Sequence, residues 1–314
     1  MRPPSRPLWL RVLGWIVGLA AFGAAVWFAG GQVDVSAIRQ VPPATLALMA
    51  GLVLGNLVLS GLLFWAVHRA LPADRPIPPA TMIGLVMGSA LLNYLPAVRA
   101  GLFGRAAYLK KMHGVALRDS GWALLIVTAV TAGGFATVAG PWLVLRLSTP
   151  DWNTIPWLGW TASLLATLAL VPGLRFGLAG LLRSKTGPTS HAAIAVWVAL
   201  RTTDLAAATA RLWLAFAALG SPITFAEALV LSAASLLVRL IGLTPNGLGL
   251  SEWTVTALAA ALSPAESGVA AAAALMDRAV EIVVVILTGG GSIAWLLRKS
   301  TSSGSDVRST PAGA

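Results

Sequence analysis

Long apolar runs recur along the chain, and most approach the length that a membrane-spanning helix requires. Such a helix needs roughly 20 mainly apolar residues to cross the ~30 Å hydrocarbon core of a bilayer. The 314 residues are 57% hydrophobic and only 11% charged, which argues against a water-soluble fold. We therefore predict an all-α, polytopic integral membrane protein. Six full spans are predicted, at Val12–Gly31, Leu46–Val67, Gly121–Leu145, Ile155–Val171, Ala192–Leu219 and Val269–Leu297.

Two further apolar regions, at about 80–112 and 223–262, are interrupted by proline and glycine and do not fit a simple span. The limb Leu250–Leu262 has 13 residues, and at 1.5 Å per residue it reaches only roughly 20 Å. We predict that each region is a re-entrant helical hairpin. The two hairpins have opposite orientations in this scheme, as in transporters with inverted repeats. The residues assigned to the two turns are Pro96, Gly101, Pro245, Asn246, Gly247 and Gly249.

The basic residues indicate how the chain lies in the membrane. Of 22 Lys and Arg, six fall at membrane depth, Arg39 and Arg146 fall on the outer side, and the other 14 fall on the inner side. This asymmetry is typical of a cell inner membrane protein with both termini in the cytoplasm. We predict a basic tail at 1–11, one membrane domain at 12–297 and a disordered tail at 298–314.

Charged residues inside the apolar regions are the strongest pointer to function. An ionised group at the bilayer centre costs at least ~2.5 kcal/mol on insertion scales, so each must face a partner, a cavity or a ligand. Arg201, Asp204 and Arg211 share one helix face by their spacing, and Asp277, Arg278 and Glu281 form a polar face on the last span. The full set is Arg99, Arg105, Arg201, Arg211, Arg239 and Arg278, with the acids Asp204, Glu227, Glu252, Asp277 and Glu281.

Two interpretations of these charges stay open. They are either buried ion pairs that hold helices in register or groups that bind an anionic head group. Arg99 and Arg105 favour binding, because no acid lies near them on their own hairpin. Glu252 is either a favourable acid at a helix N-terminus, within a Ser251 cap, or a functional partner of an arginine of the first hairpin or of a cationic head group.

Motifs of covalent chemistry are absent from the sequence. There is no cysteine, and the three histidines have no metal-ligand spacing among themselves or with acids. No phosphate loop, nucleophile elbow or hydrolytic carboxylate pair is present. The excess of basic residues lies beside apolar runs, which indicates topology rather than nucleic-acid binding. We expect no enzymatic activity, no cofactor and no metal site.

The two interrupted regions carry a family resemblance. The stretch NYLPAVRAGLFGRAAYLKKMHGV resembles the first signature of the flippase-like family that includes the transmembrane region of lysylphosphatidylglycerol synthetases. The stretch GLTPNGLGLSEWTVTALAA, followed by ALMDRAVEI, is similar to the second signature, although Asn246 replaces a usual glycine. The resemblance covers roughly residues 10–297. It singles out Asn93, Pro96, Arg99, Gly101, Arg105, Pro245, Gly247, Gly249, Glu252 and Arg278.

The resemblance implies movement of lipids or lipid-linked precursors between leaflets. Only 17 residues follow Leu297, so we expect none of the soluble aminoacyl-transferase domain of the synthetases. Our first hypothesis is a flippase for a lipid with an anionic or zwitterionic head group. The alternative is a non-catalytic membrane subunit that assists a glycosyltransferase or lipid-modifying enzyme of a lipid or glycan pathway. The substrate-binding residues would be Asn93, Arg99, Arg105, Glu252 and Arg278.

Overall fold

A computed structural model describes residues 8–32, 39–71, 73–95, 100–149, 155–183, 190–241 and 243–306. Within these ranges the chain is helical, with no β-strand. The helices are α1 (Leu8–Gly30), α2 (Pro43–His68), α3 (Pro79–Leu92), α4 (Ala100–His113), α5 (Leu117–Ser148), α6 (Pro156–Arg183), α7 (His191–Ala218), α8 (Phe225–Ile241), α9 (Leu250–Leu262) and α10 (Ser267–Asp306).

Six of these helices are long and apolar enough to cross a membrane, as predicted. They are α1, α2, α5, α6, α7 and α10, and each contains one of the six predicted spans apart from a residue or two at its ends. α6 exposes most of its apolar surface, whereas α5 and α7 are more deeply packed. An exposed apolar helix face is the surface that a bilayer covers.

The remaining helices, α3, α4, α8 and α9, are too short to span. They contain 14, 14, 17 and 13 residues, which corresponds to roughly 20 to 26 Å against the ~30 Å hydrocarbon core. α3 packs against α4, and α8 packs against α9, so each pair reverses on itself. The predicted limb Leu250–Leu262 coincides with α9.

Contacts along α10 place the two pairs opposite each other. α3 runs antiparallel to α10, because Thr81 at its start bonds Lys299 near the end of α10 (3.1 Å), whereas Tyr94 just beyond its end bonds Glu281 (3.3 Å). α9 instead precedes the start of α10 and meets it at Arg278. Arg278 lies 11 residues from the start of α10, or roughly 17 Å, near the middle of a membrane-spanning length. The two turns therefore lie at the same depth along α10.

The second turn depends on left-handed backbone. A short 3₁₀ segment, Pro245–Gly247, leads into α9, and Asn246 has φ 48°, Gly247 has φ 71° and Gly249 has φ 78°. Asparagine and glycine are the residues that adopt this region most readily, so the asparagine in place of glycine preserves the turn. Gly249, rather than Ser251, is the N-cap of α9. The predicted Ser251 cap is therefore wrong: the Ser251 hydroxyl lies inside the helix, within hydrogen-bond distance of the Gly247 carbonyl oxygen (3.0 Å) and of Glu252 Oε1 (3.1 Å).

The first turn brings α3 and α4 into close contact. A Cβ added at Gly101 would meet the Ser89 carbonyl oxygen and lie 2.7 Å from Asn93 Oδ1. The Ser89 hydroxyl also donates to the Gly101 carbonyl (2.8 Å). Only glycine permits this approach. Pro96 and Arg99 lie outside the described residues.

Helices extend into both predicted tails, 1–11 and 298–314. α1 starts at Leu8, inside the predicted N-terminal tail. α10 continues to Asp306, into the segment 298–314 that we predicted as a disordered tail. Arg, Lys and Ser do not interrupt a helix as proline would, and Lys299 is held by its contact with Thr81.

Candidate functional site

Arg278 lies at the centre of the protein and is completely buried (0% exposed). Its Nε donates to Glu252 Oε1 (2.6 Å), and its Nη2 donates to the Ser251 hydroxyl (2.6 Å) and to the Asn246 carbonyl (3.1 Å). Its Nη1 donates to the Tyr94 hydroxyl (3.2 Å) and to Glu281 (3.4 Å). An arginine has five N–H donors, and these five contacts engage all of them. Arg278 therefore joins the two opposed turns to α10.

Glu281, one turn further along α10, is contacted by several arginine side chains. Its carboxylate accepts from Arg239 Nη1 at 2.7 and 2.9 Å and lies 3.7 Å from Arg211 Nη2. The Tyr94 hydroxyl donates to the same carboxylate (3.3 Å), so Tyr94 accepts from Arg278 and donates to Glu281. Asn246 Nδ2 adds a longer contact of 3.5 Å. Glu281 thus connects α8, α7 and the first turn.

Asn56, on α2, extends the polar contacts across the protein. Its Oδ1 accepts from Arg211 Nη1 (3.2 Å), and its Nδ2 donates to Asp204 Oδ1 (2.9 Å). Arg211 also makes a two-point ion pair with Asp277, through its Nε and through its Nη2 (3.1 Å). Asp204 pairs with Arg201 Nη1 (2.7 Å). The predicted helix-face group is therefore divided, because Arg201 pairs within α7 and Arg211 pairs across to α10.

Among the residues that the structure describes, these contacts form one continuous charge network whose formal charge is zero. Four arginines face four carboxylates, and none of the eight side chains lies on the surface. Desolvating either sign alone costs several kcal/mol, so equal numbers of opposite charges allow the whole cluster to be buried. We call it the charge network: Arg201, Asp204, Arg211, Arg239, Glu252, Asp277, Arg278 and Glu281.

A partly open cavity lies beside the charge network, between α7, α8, α9 and α10. About 350 Å³ is unoccupied by protein atoms, and the interior has room for about one water molecule. Its polar lining comprises Arg211, Ser232, Ser235, Arg239, Ser251, Glu252 and Asp277. Among the described residues, Glu252 Oε2, Ser232 Oγ and Arg239 Nε are buried and have no hydrogen-bond partner. Unpartnered polar atoms of this kind around a small space are the usual setting of buried water.

Arg105, on α4, has a different environment from the network arginines. It is 7% exposed, and its guanidinium carbon lies 3.6 Å from the centre of the Phe64 ring. No carboxylate pairs with it in the part of the chain that the structure describes. His68, on α2 like Phe64, is also buried, and its Nδ1 donates to the Phe64 carbonyl (2.7 Å). Arg105 is thus a buried cation whose only charge-stabilising contact in these ranges is an aromatic face.

The other predicted residues have separate positions. Asn93 caps the end of α3, and its buried Oδ1 has no hydrogen-bond partner within the described ranges. Glu227 lies outside the charge network and accepts from the Thr224 amide (2.7 Å) at the start of α8. Glu252 (2% exposed) pairs with Arg278, and Arg105, the arginine of the first hairpin that the structure describes, makes no ion pair with it.

Sequence reasoning missed Asn56, Tyr94 and Ser251 as members of this site. Asn56 carried a usable signal, because it is the one strongly polar residue inside the apolar stretch 46–67. Tyr94 and Ser251 carried none, since tyrosine and serine are ordinary at turns and helix ends. Their roles depend on the two turns meeting at Arg278.

The comparison with known families agrees with this architecture. The family model described as the lysylphosphatidylglycerol synthase TM region matches residues 15–289, most of the chain and all of both interrupted regions. No curated protein and no solved structure matches the chain significantly. The match indicates a function related to membrane lipids. The chain is therefore a multi-pass membrane protein that belongs to the lysylphosphatidylglycerol synthase TM region family.

Proposed function

We propose that this protein is a flippase that moves a lipid with an anionic head group between the leaflets of the cell inner membrane. The observation that carries the proposal is Arg105, a buried guanidinium with no carboxylate partner among the described residues. A cation in that setting is stabilised when an anion joins it. The planar guanidinium forms paired hydrogen bonds with phosphate, the charged group common to phospholipids.

The position of Arg105 supports contact with a lipid. It lies on the short helix α4, about 8 Å from the end next to the first turn. Phe103, two residues earlier and on the opposite face of α4, is 72% exposed, so the other side of the helix presents apolar surface. A head group held at Arg105 would leave its acyl chains in the surrounding hydrocarbon. Arg99, from the same sequence motif, would be a second contact in this proposal.

In this proposal Arg278 takes a different role from the lipid contact that the sequence suggested. All five donors of Arg278 are engaged by the protein, and its oxygen partners come from both turns and α10. We therefore assign Arg278 to holding the two turns together rather than to first contact with the lipid. Glu252 and Asn93 remain candidate contacts of the lipid head group, because each has a buried oxygen without a partner in the described ranges.

The distribution of basic residues supports a proposed orientation in the membrane. Both termini would face the cytoplasm, and the first hairpin would open on that side. The start of α3, which contacts Lys299, would then be the cytoplasmic end of the hairpin. Arg105 would meet head groups from the inner leaflet first. No covalent chemistry and no cofactor are part of this mechanism.

The test is lipid movement by purified protein in vesicles containing fluorescent phosphatidylglycerol, with surface quenching as the readout. Arg105→Gln should reduce the initial rate by about tenfold or more, because a hydrogen bond to a charged group contributes ~1.5–3 kcal/mol. Arg69→Gln is the matched control. Arg69 lies over the Trp65 ring at 5.1 Å but is exposed, so its removal should leave the rate unchanged. A wild-type rate for Arg105→Gln would contradict the proposal.

The second candidate is a membrane subunit that supports a partner enzyme. It is favoured by one observation: every arginine of the charge network is matched by a carboxylate, as structural ion pairs are. In that case wild-type protein alone would move no lipid, and a stoichiometric enzyme partner would co-purify with it. Loss of Arg105 would then leave partner binding intact.

A further inference from the structure

The unpartnered oxygen of Glu252 is the starting point for a proton site. Oε1 of Glu252 is held by Arg278 Nε (2.6 Å) and the Ser251 hydroxyl (3.1 Å). Oε2 is buried, and no described residue bonds it. Glu252 also lines the cavity beside the charge network. A carboxylate fixed by one oxygen has the other available to a proton without losing its existing contacts.

The cavity places two more unpartnered polar atoms in the same space as Glu252 Oε2. The Ser232 hydroxyl and Arg239 Nε line the same space and also lack partners in the described ranges. Together with Glu252 Oε2 they provide three polar contacts, the number that a buried water typically makes. Water at this position can pass a proton to the carboxylate.

A proton bound at Glu252 changes the net charge of the charge network. The charge network has four arginines and four carboxylates, so one bound proton leaves it with a net charge of +1. Within a low-dielectric interior that charge is unfavourable unless an anion joins it. Arg278 is the cation whose partner is neutralised, and it contacts the first turn through Tyr94. The turn of the hairpin that carries Arg105 therefore contacts Arg278, the residue whose positive charge is no longer balanced.

We infer that Glu252 is a proton-binding site and that one proton accompanies each anionic head group through the protein. The inference rests on the proposed flippase function and adds its energy source. By reciprocity, an anionic lipid strengthens proton binding by the same factor as the proton strengthens lipid binding. A lipid anion and a proton together carry no net charge.

The charged and titratable groups that face Glu252 come from some, but not all, of the elements packed around it. α1 carries no titratable residue between 12 and 30, and α9 carries none apart from Glu252. The remaining elements contribute Arg211 from α7, Arg239 from α8, Tyr94 from the first turn, and Asp277, Arg278 and Glu281 from α10. Of the four network carboxylates, Glu252 is the one with a buried oxygen that nothing in the described ranges contacts.

The transport test uses full-length protein in vesicles of phosphatidylcholine and phosphatidylglycerol, with fluorescent phosphatidylglycerol as the probe. A gradient of one pH unit should shift the transbilayer distribution about tenfold toward the alkaline side, since one pH unit is a tenfold difference in proton activity. Membrane potential alone should have no effect. In Glu252→Gln the pH response should disappear and a response to potential should appear, because the network is then permanently at +1.

The matched control is Glu227→Gln, which removes another buried carboxylate that lies outside the charge network. It should retain the pH response, since a glutamine oxygen can still accept from the Thr224 amide. An unchanged pH response in Glu252→Gln would overturn the inference.

A second measurement separates this inference from the proposed function. Infrared difference spectra of the protein on acidification should show the carbonyl band of a protonated carboxyl group, absent in Glu252→Gln and present in Glu227→Gln. A wild type that moves no lipid but shows this band would overturn the flippase proposal and retain the proton site. A band that persists in Glu252→Gln would overturn the proton site.

Discussion

Replacing Arg278 with methionine should strongly destabilise the protein. Methionine fills much of the same volume but donates none of the five hydrogen bonds that Arg278 makes. Glu252 would lose its ion pair at 2.6 Å and remain as a buried carboxylate held by Ser251 alone. Removing one partner of a buried pair costs ~3–5 kcal/mol, or roughly 10² to 10⁴ in the unfolding equilibrium.

The double variant Arg278→Met, Glu252→Leu provides the decisive comparison. It removes one charge of each sign, so the network returns to neutrality and no isolated carboxylate is buried. Apolar replacement of both partners is often close to neutral, and we expect at least half of the lost stability to return. The control Arg69→Met, at an exposed position, should change the free energy of unfolding by no more than ~0.5 kcal/mol.

Unfolding in mixed micelles, followed by the fluorescence of the 13 tryptophans, measures these differences. Equal stability of Arg278→Met and the wild type would refute the assignment of Arg278 as the residue that holds the two turns together. A double variant less stable than Arg278→Met would refute the reasoning from charge balance.

Two further substitutions test the packing around the site. Gly101→Ala should prevent correct folding, because its Cβ would meet the Ser89 carbonyl, whereas Gly104→Ala should be tolerated, since the nearest atom there is 3.6 Å away; expression and gel filtration compare them. Asn56→Leu should lower the free energy of unfolding by ~1–3 kcal/mol, because it withdraws a hydrogen bond from Asp204 and from Arg211. A wild-type unfolding transition for Asn56→Leu would contradict the bridging role.

Much of the fold was predictable because hydropathy and chain breaks act locally. The six spans follow from run length, and the short limb Leu250–Leu262 follows from the glycines before it and the Ser-Pro after it. The close approach at Gly101 was also signalled by its residue type. α10 extends beyond the predicted end of the last span at Leu297, because nothing in 298–303 breaks a helix.

The pairing of charges was not predictable from one sequence. Arg211 and Asp277 are 66 residues apart, and their ion pair depends on how α7 and α10 rotate against each other. Spacing within one helix placed Arg201, Asp204 and Arg211 on one face, but it did not show that only Arg201 pairs with Asp204. The partners of Arg278 were equally unpredictable, because its N–H groups donate to residues from three chain segments.

Lipid retention by purified protein tests the central claim most directly. Native mass spectrometry should show phosphatidylglycerol bound to the wild type and to Arg69→Gln, and that bound population should fall about tenfold or more in Arg105→Gln. Phosphatidylcholine binding should be much weaker in all three. Equal phosphatidylglycerol binding by Arg105→Gln and the wild type would show that the buried, acid-free arginine is not the site of the anionic head group.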